Sequence, residues 1–517
     1  MPQKTMGLVI TGGLVAVAAI VGGAIWFTSS RATEVNLTTA SLVPEDAGFY
    51  LALNTDLTSS QWVSAFNLAE RLGAEDPEQE LKDTVDDEGI DWDDEIAPFL
   101  GGNAAVYVKA FDVYNFGFEG AVIVRCNDAE AALDVLDDEV GLGDEDEYEG
   151  IEYYDADGAY VAVIGDHLVI AFDEDSLEAV IDVHNGERDS LASTSDFQRL
   201  RDELTRNFLA FAYVDADGLF GDLFLEDPYI KAALEDSGSG DLVLEPTAWV
   251  LGAAGDGFEF QAASVGKAGA VAPMLAPRES QLIKFVPASA SLFFSTVDIA
   301  GTWDRVLAEA RPEIDDAIRE EGEYDSLDEA LREAGREIGI ESIEDLVRLL
   351  DGETVVAAWF PGGDEDDAEV ALLAQVDEGK ARDLLEDIVA NQSSRPAKKE
   401  TVNGHEMTAF EDEDGEELAY AFLEGNLVFG TRKAVEEVLE NEGPPLGDSR
   451  EYRHAVEQMP SALGTYLYFD LATLLRLAEE GVPPELDEAE EALEGLIINA
   501  VDERGVVRLS GILTIAE

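Results

Sequence analysis

Four histidines (His167, His184, His405 and His454) and one cysteine, Cys126, are the side chains of this 517-residue chain best suited to proton transfer or thiolate chemistry near neutral pH. A working histidine base needs a nucleophile on one ring nitrogen and an orienting group on the other. None of the four lies in H-E-x-x-H, and the sequence holds no G-x-S-x-G elbow and no G-x-x-x-x-G-K-[ST] loop. Ser264-Val-Gly-Lys267 spells S-x-x-K, but it closes a strand pattern and has no S-D-N or K-T-G companion, so it reads as chance. A single cysteine excludes an intrachain disulfide and a thiolate metal cluster. Just beyond the apolar run Ala121–Val124, Cys126 reads as a small core residue.

Carboxylates remain. With 113 Asp and Glu, acid pairs occur everywhere, and pairing alone marks no acid–base site. The densest runs, Asp144–Glu147 and Asp364–Asp367, lack the spaced oxygen ligands, turn glycine and terminal glutamate of a calcium loop. Asp364–Asp367 falls between two apolar strands and reads as a solvated hairpin tip. Asp56, Asp215, Asp298 and Asp470 each follow an apolar strand and precede a helical pattern. They read as helix N-caps, each worth ~1 kcal/mol, rather than as ligands. Leu219-Phe220, Leu223-Phe224 and Tyr229 have the spacing of a buried helix face. These readings leave no catalytic residue, no cofactor-binding residue, no metal ligand and no cofactor.

Charge limits the partners. The formal net charge is −81, from 113 acidic and 32 basic residues. Residues 1–40 carry +1, residues 41–280 about −44 and residues 281–517 about −38, so both halves of the body are acidic rather than one tail. Such a surface repels nucleic acid and anionic lipid, whose binding needs Lys or Arg against phosphate. It also repels itself at low salt, and it reads as adaptation to salty surroundings.

Met6–Phe27 is a charge-free apolar run of 22 residues, enough to cross ~30 Å of hydrocarbon as a helix. It is too long for a usual signal-peptide core, and no small-x-small cleavage site follows it, so an uncleaved anchor is expected. Lys4 before it gives a slight bias to a cytoplasmic N-terminus with the body outside.

Beyond the anchor the chain repeats itself. Val43-Pro44-Glu-Asp-Ala47, the strand Phe49–Leu53, Asp56 and Trp62 recur as Val286-Pro287-Ala-Ser-Ala290, Leu292–Val297, Asp298 and Trp303. Leu100-Gly-Gly102 parallels Leu350-Asp-Gly352, Phe197 parallels Tyr452, and Tyr213-Val-Asp215 parallels Tyr468-Phe-Asp470, all in the same order. Period-2 strands alternate with 3.6-period helices, and strands also come in adjacent pairs. The expected fold class is α+β: an N-terminal transmembrane helix followed by two tandem homologous α+β domains, each a mixed or antiparallel sheet with helices on one face. The boundaries expected are an anchor over 1–28, a polar linker over 29–40, domain 1 over 41–268, a join over 269–281 and domain 2 over 282–517.

The Val-Pro-x-x-Ala openings at Val43–Ala47 and Val286–Ala290, the Asp56/Trp62 and Asp298/Trp303 elements and the N-terminal run resemble a family of bacterial membrane-anchored proteins known only as a domain of unknown function. The resemblance implies a membrane protein and carries no catalytic residues. The function expected is a membrane-anchored, extracytoplasmic acidic protein that binds a ligand or serves as an envelope scaffold without catalysis. The alternative is an envelope hydrolase built on carboxylates, with or without a divalent cation. The expected partners are the lipid bilayer, through the N-terminal helix, and an extracytoplasmic protein or ligand, with no nucleic acid. A binding module would expose an apolar groove or patch, whereas an enzyme would gather polar groups in one cleft.

Overall fold

The computed structural model describes residues 37–86, 92, 96–112, 117–156, 158–215, 245–266, 268–321, 324–361, 368–412, 415–441, 443–477, 492–503 and 505–516. The chain divides into two compact units, Met1–Gly266 and Lys267–Ala516.

In the first unit β1 (Phe49–Asn54) leads to α1 (Ser60–Arg71) and α2 (Pro77–Asp86). Then come β2 (Leu100–Asp112), β3 (Gly117–Cys126), α3 (Ala129–Val140), β4 (Glu145–Tyr148), β5 (Ile151–Ala156), β6 (Ala159–Ile164) and β7 (His167–Ala171). The unit closes with α4 (Glu174–Asn185), α5 (Ser195–Glu203), β8 (Ala210–Val214), β9 (Thr247–Ala254) and β10 (Gly257–Ser264). Across the sheet the strands run β10–β9–β8–β1–β2–β3–β7–β6–β5–β4, with every neighbour antiparallel.

The second unit has β11 (Leu292–Val297), α6 (Ile299–Glu321), α7 (Leu327–Glu337), α8 (Ile343–Val347), β12 (Glu353–Trp359), β13 (Glu369–Gln375) and α9 (Glu378–Gln392). It continues through β14 (Lys398–Val402), β15 (His405–Glu411), β16 (Glu417–Leu423), β17 (Asn426–Thr431), α10 (Arg432–Glu440) and α11 (Arg450–Gln458). It ends with β18 (Thr465–Asp470), α12 (Leu471–Leu477), β19 (Leu493–Glu503) and β20 (Val506–Ile515). Its strand order is β20–β19–β18–β11–β12–β13–β17–β16–β15–β14, the order of the first unit position for position. The isolated bridges Pro44–Ser190 and Pro287–Pro445 also match.

The expected fold class needs correcting in three respects. Within each unit every pairing among the described strands is antiparallel, so neither sheet is mixed. Short connections between consecutive strands favour antiparallel pairs. Helices also lie on both faces: α4 packs Leu177, Val180 and Ile181 on one side, while α3 covers Val161 and Leu168 on the other. In the second unit α10 covers Val355 and Leu373, and α9 covers Phe410, Tyr420 and Leu427 from the opposite side. Lastly, no described helix is long and apolar enough to cross a membrane. The longest of these, α6, carries Asp, Glu and Arg along its whole length. Met6–Phe27, where the transmembrane helix was expected, lies outside the described residues.

Large aromatic side chains fill the core beneath α5 and α11. Tyr50, Phe197, Phe211 and Tyr213 meet mostly edge to face in the first unit, and Phe293, Tyr452, Tyr466 and Tyr468 occupy the corresponding places in the second. The Tyr452 and Tyr466 hydroxyls share a 2.9 Å hydrogen bond, and burial pushes the Tyr466 phenol up to about 12. Nearby, buried Glu353 accepts from Arg278, Ser295 and the backbone N–H groups of Gln281 and Leu282. That network ties residues 278–282 to the start of β12.

Candidate binding faces

Residues singled out for chemistry do not converge. His167 has its Nδ1 2.9 Å from Asp166 Oδ1, and its buried Nε2 has no hydrogen-bond partner. Burial is the main cause of its lowered pKa. His184 ends α4, and His405 begins β15. His454 Nδ1 lies 2.6 Å from Glu494 Oε2, and Arg450 holds the other oxygen of that carboxylate. Cys126 is buried, which pushes its thiol up and keeps it protonated, the opposite of a nucleophilic cysteine. Ser264 Oγ reaches the Pro246 carbonyl at 3.5 Å, while Lys267 lies outside the described residues, as do Asp364–Asp367 and Leu219–Tyr229. Asp144–Glu147 runs into β4, an exposed strand that pairs only with β5 among the described strands, and its charges blunt that edge.

Only one of the four aspartates expected as N-caps is shown in that role. Asp470 accepts from Thr473 N at 3.4 Å and from the Thr473 hydroxyl at 2.8 Å. Asp56 instead binds the backbone and hydroxyl of Thr58, and Ser59 caps α1. Asp298 has left-handed backbone (φ 55°) and pairs with Arg305 Nη2 at 2.7 Å, whose Nε reaches the Ala270 carbonyl. Asp215 donates its backbone N–H to Gly48 O, and the residues after it lie outside the described set. Among the described residues no group of three His, Cys, Asp or Glu could hold a metal ion.

What the sequence reading missed is which surface of the expected sheet stays uncovered. Strand residues alternate between the two faces, so neighbouring strands in register share one surface. In β1 Tyr50 and Ala52 are buried, while Phe49 and Leu51 are half-buried on the other side. The register carries that second surface from Leu51 to Ala212 and on to Trp249, and from Ala210 through Leu251 to Phe260. Trp249 is 40% exposed and Phe260 38%. The second unit repeats this surface: Phe294 pairs with Leu467, Leu467 with Ile498, and Ala500 with Leu509. Leu509, 40% exposed, stands where Phe260 stands in the first unit. Ile498 takes the place of Trp249. Each unit thus carries a half-exposed apolar face on its last strands, beyond the ends covered by α3 and α9.

The open clefts are different in kind. One of about 960 Å³ lies among α7, α8 and α9, with Arg332, Arg336, Arg348 and Lys380 set among Asp345, Asp383 and Asp387. Another of about 460 Å³, beside the end of α9, is lined by Ser393, Arg395, Lys399 and Tyr420 among others. Neither contains a histidine or a buried acid pair, so neither offers a base aligned on a nucleophile. The chemistry these units present most plainly is burial of apolar surface.

A family model described as Protein of unknown function (DUF3352) matches residues 9–502. Comparison with curated proteins gives no match. Among solved structures, crystal form I of TP0453 is similar at 13% identity and a TM-score of 0.24, over 46% of this chain and 79% of that one. Crystal form IV of the same protein gives 14% identity and a TM-score of 0.24, over 43% and 78%.

Proposed function

The chain belongs to the family described as Protein of unknown function (DUF3352), and from that premise we propose that it is a non-catalytic binding or scaffold module that works outside the cytoplasm and holds its ligand on the apolar sheet faces. The observation that carries this reading is the recurrence of an exposed apolar side chain, Phe260 and Leu509, at one position of both units. Contiguous exposed apolar surface is what marks a binding site on a protein. Work outside the cytoplasm is supported by the charge-free run 6–27 with Lys4 ahead of it. Protease added to intact cells should then degrade the body, and full protection would refute that location.

The binding reading is tested with Nile red, an uncharged dye that brightens in apolar surroundings. Wild type should bind it, and the paired variant Phe260→Asp/Leu509→Asp should lose most of the signal while keeping its thermal midpoint. Equal dye binding by a folded paired variant would overturn the reading.

A further inference from the structure

We propose that the cleft beside the end of α9 takes a neutral saccharide unit, at a site separate from the apolar sheet faces. Its floor is one row across three strands: Lys399 of β14 pairs with Thr408 of β15, and Thr408 with Tyr420 of β16. All three line the cleft, whose volume of about 460 Å³ falls within the ~300–1,000 Å³ of small-molecule pockets. Thr408 is 5% exposed and Tyr420 2%, yet among the described residues neither hydroxyl has a hydrogen-bond partner. The neighbouring hydroxyls are engaged: Ser393 donates to the Arg395 carbonyl, and Ser394 to the Glu411 carbonyl at 3.1 Å. A buried hydroxyl left unpaired carries a cost, and a ligand hydroxyl entering the cleft removes it.

The lining selects the charge of the ligand. Val389, Ala390 and Ser393 put the last turn of α9 on the cleft, and the partial negative charge of a helix C-terminus disfavours an anion there, as does Glu386. Arg395 and Lys399, paired with Glu411 and Glu406, disfavour a cation. A purely apolar guest would leave both hydroxyls unpaired. What remains is a neutral molecule whose hydroxyls donate and accept, with a C–H face to lay on Val389, Ala390 and Pro396: a sugar. The first unit serves as an internal control. Val169 and Val428 hold matching places, opposite Ala162 and Ala421, so Val161 stands where Tyr420 stands. The row there reads Glu145, Tyr154 and Val161, with Val161 fully buried under α3. Its charge is reversed and its inner hydroxyl is missing, so the full chain should hold one sugar rather than two.

The test is saturation-transfer NMR on the full chain with glucose, galactose, mannose and N-acetylglucosamine, and with glucuronate and glucosamine as charged counterparts. At least one neutral sugar should receive saturation, with a titrated affinity that does not change between about 0.1 M and 1 M salt, and neither charged sugar should. Thr408→Val/Tyr420→Phe keeps the shape of the floor and removes both hydroxyls. Affinity should fall about tenfold while the thermal midpoint holds, because no internal hydrogen bond is lost. Tyr154→Phe, in the matching row of the first unit, should leave the affinity as it is. Should the double variant unfold, Ala390→Trp, at an exposed position of α9 on the cleft wall, blocks the site instead and should abolish the transfer. Absence of transfer from all four neutral sugars would overturn the proposal. So would equal affinity in a folded double variant, or tighter binding of glucuronate or glucosamine than of every neutral sugar.

Discussion

At the scale of single residues, side chains that looked chemical are mostly occupied in structure. The N-cap role expected of Asp56 passes to Ser59 three positions on, and among the described residues the aspartates that cap helices include Asp76, Asp128, Asp173 and Asp377 as well as Asp470. Sequence showed which residue type closes a helix end, but not which of several nearby candidates reaches the free N–H. Glu259 shows the cost of burying one of the many carboxylates. It is buried on β10 with its carboxyl held above the usual range, chiefly by desolvation, and Gln261 only partly offsets this. A raised carboxyl makes the folded chain hold its proton more tightly than the unfolded one. Its effect on stability is therefore nil below about pH 4 and grows unfavourable as pH rises above the unfolded value of ~4.3. Glu259→Gln should raise the thermal midpoint at pH 7, and the gain should disappear by pH 4. A constant or absent gain across that range would mean the carboxyl is solvated in the folded state.

At the scale of elements, continuous apolar runs said more than they were taken to say. Ala104–Val108, Ala121–Val124 and Val370–Ala374 do not alternate, which is how a strand reads when both faces are apolar. Helices on both faces were therefore legible in those runs, whereas Phe49–Leu53 alone does not tell which face stays open. Strand order was not legible, because register depends on which edges meet. The edges carry their own prediction. β14 begins Lys398-Lys399, both exposed, and pairs only with β15 among the described strands. Charged edge residues oppose pairing with another chain. Lys398→Val/Lys399→Val should leave the fold intact and cause light scattering to rise with protein concentration at molar salt, where repulsion is screened. Unchanged scattering would mean that something else protects the edge.

For the whole molecule, the internal repeat was readable from Pro44 and Pro287 onward because both copies kept the residues that open the first strand. The match between the last strands of the two units was not readable, since Trp249 and Ile498 look unrelated until register aligns them. The net charge of −81 predicts that thermal stability rises from low to molar salt, as the reach of repulsion falls from ~30 Å at 0.01 M to ~3 Å at 1 M. A flat or falling midpoint would mean that local ion pairs already balance the surface. The central claim is that the sheet faces are open apolar surface. The most direct measurement is acrylamide quenching of tryptophan emission in the full chain, wild type against Trp249→Phe. The account predicts a readily quenched component in wild type that the variant lacks, because Trp249 is 40% exposed while Trp62 and Trp359 are buried. Identical quenching of the two proteins would contradict it, since Trp249 would then be covered and the face closed.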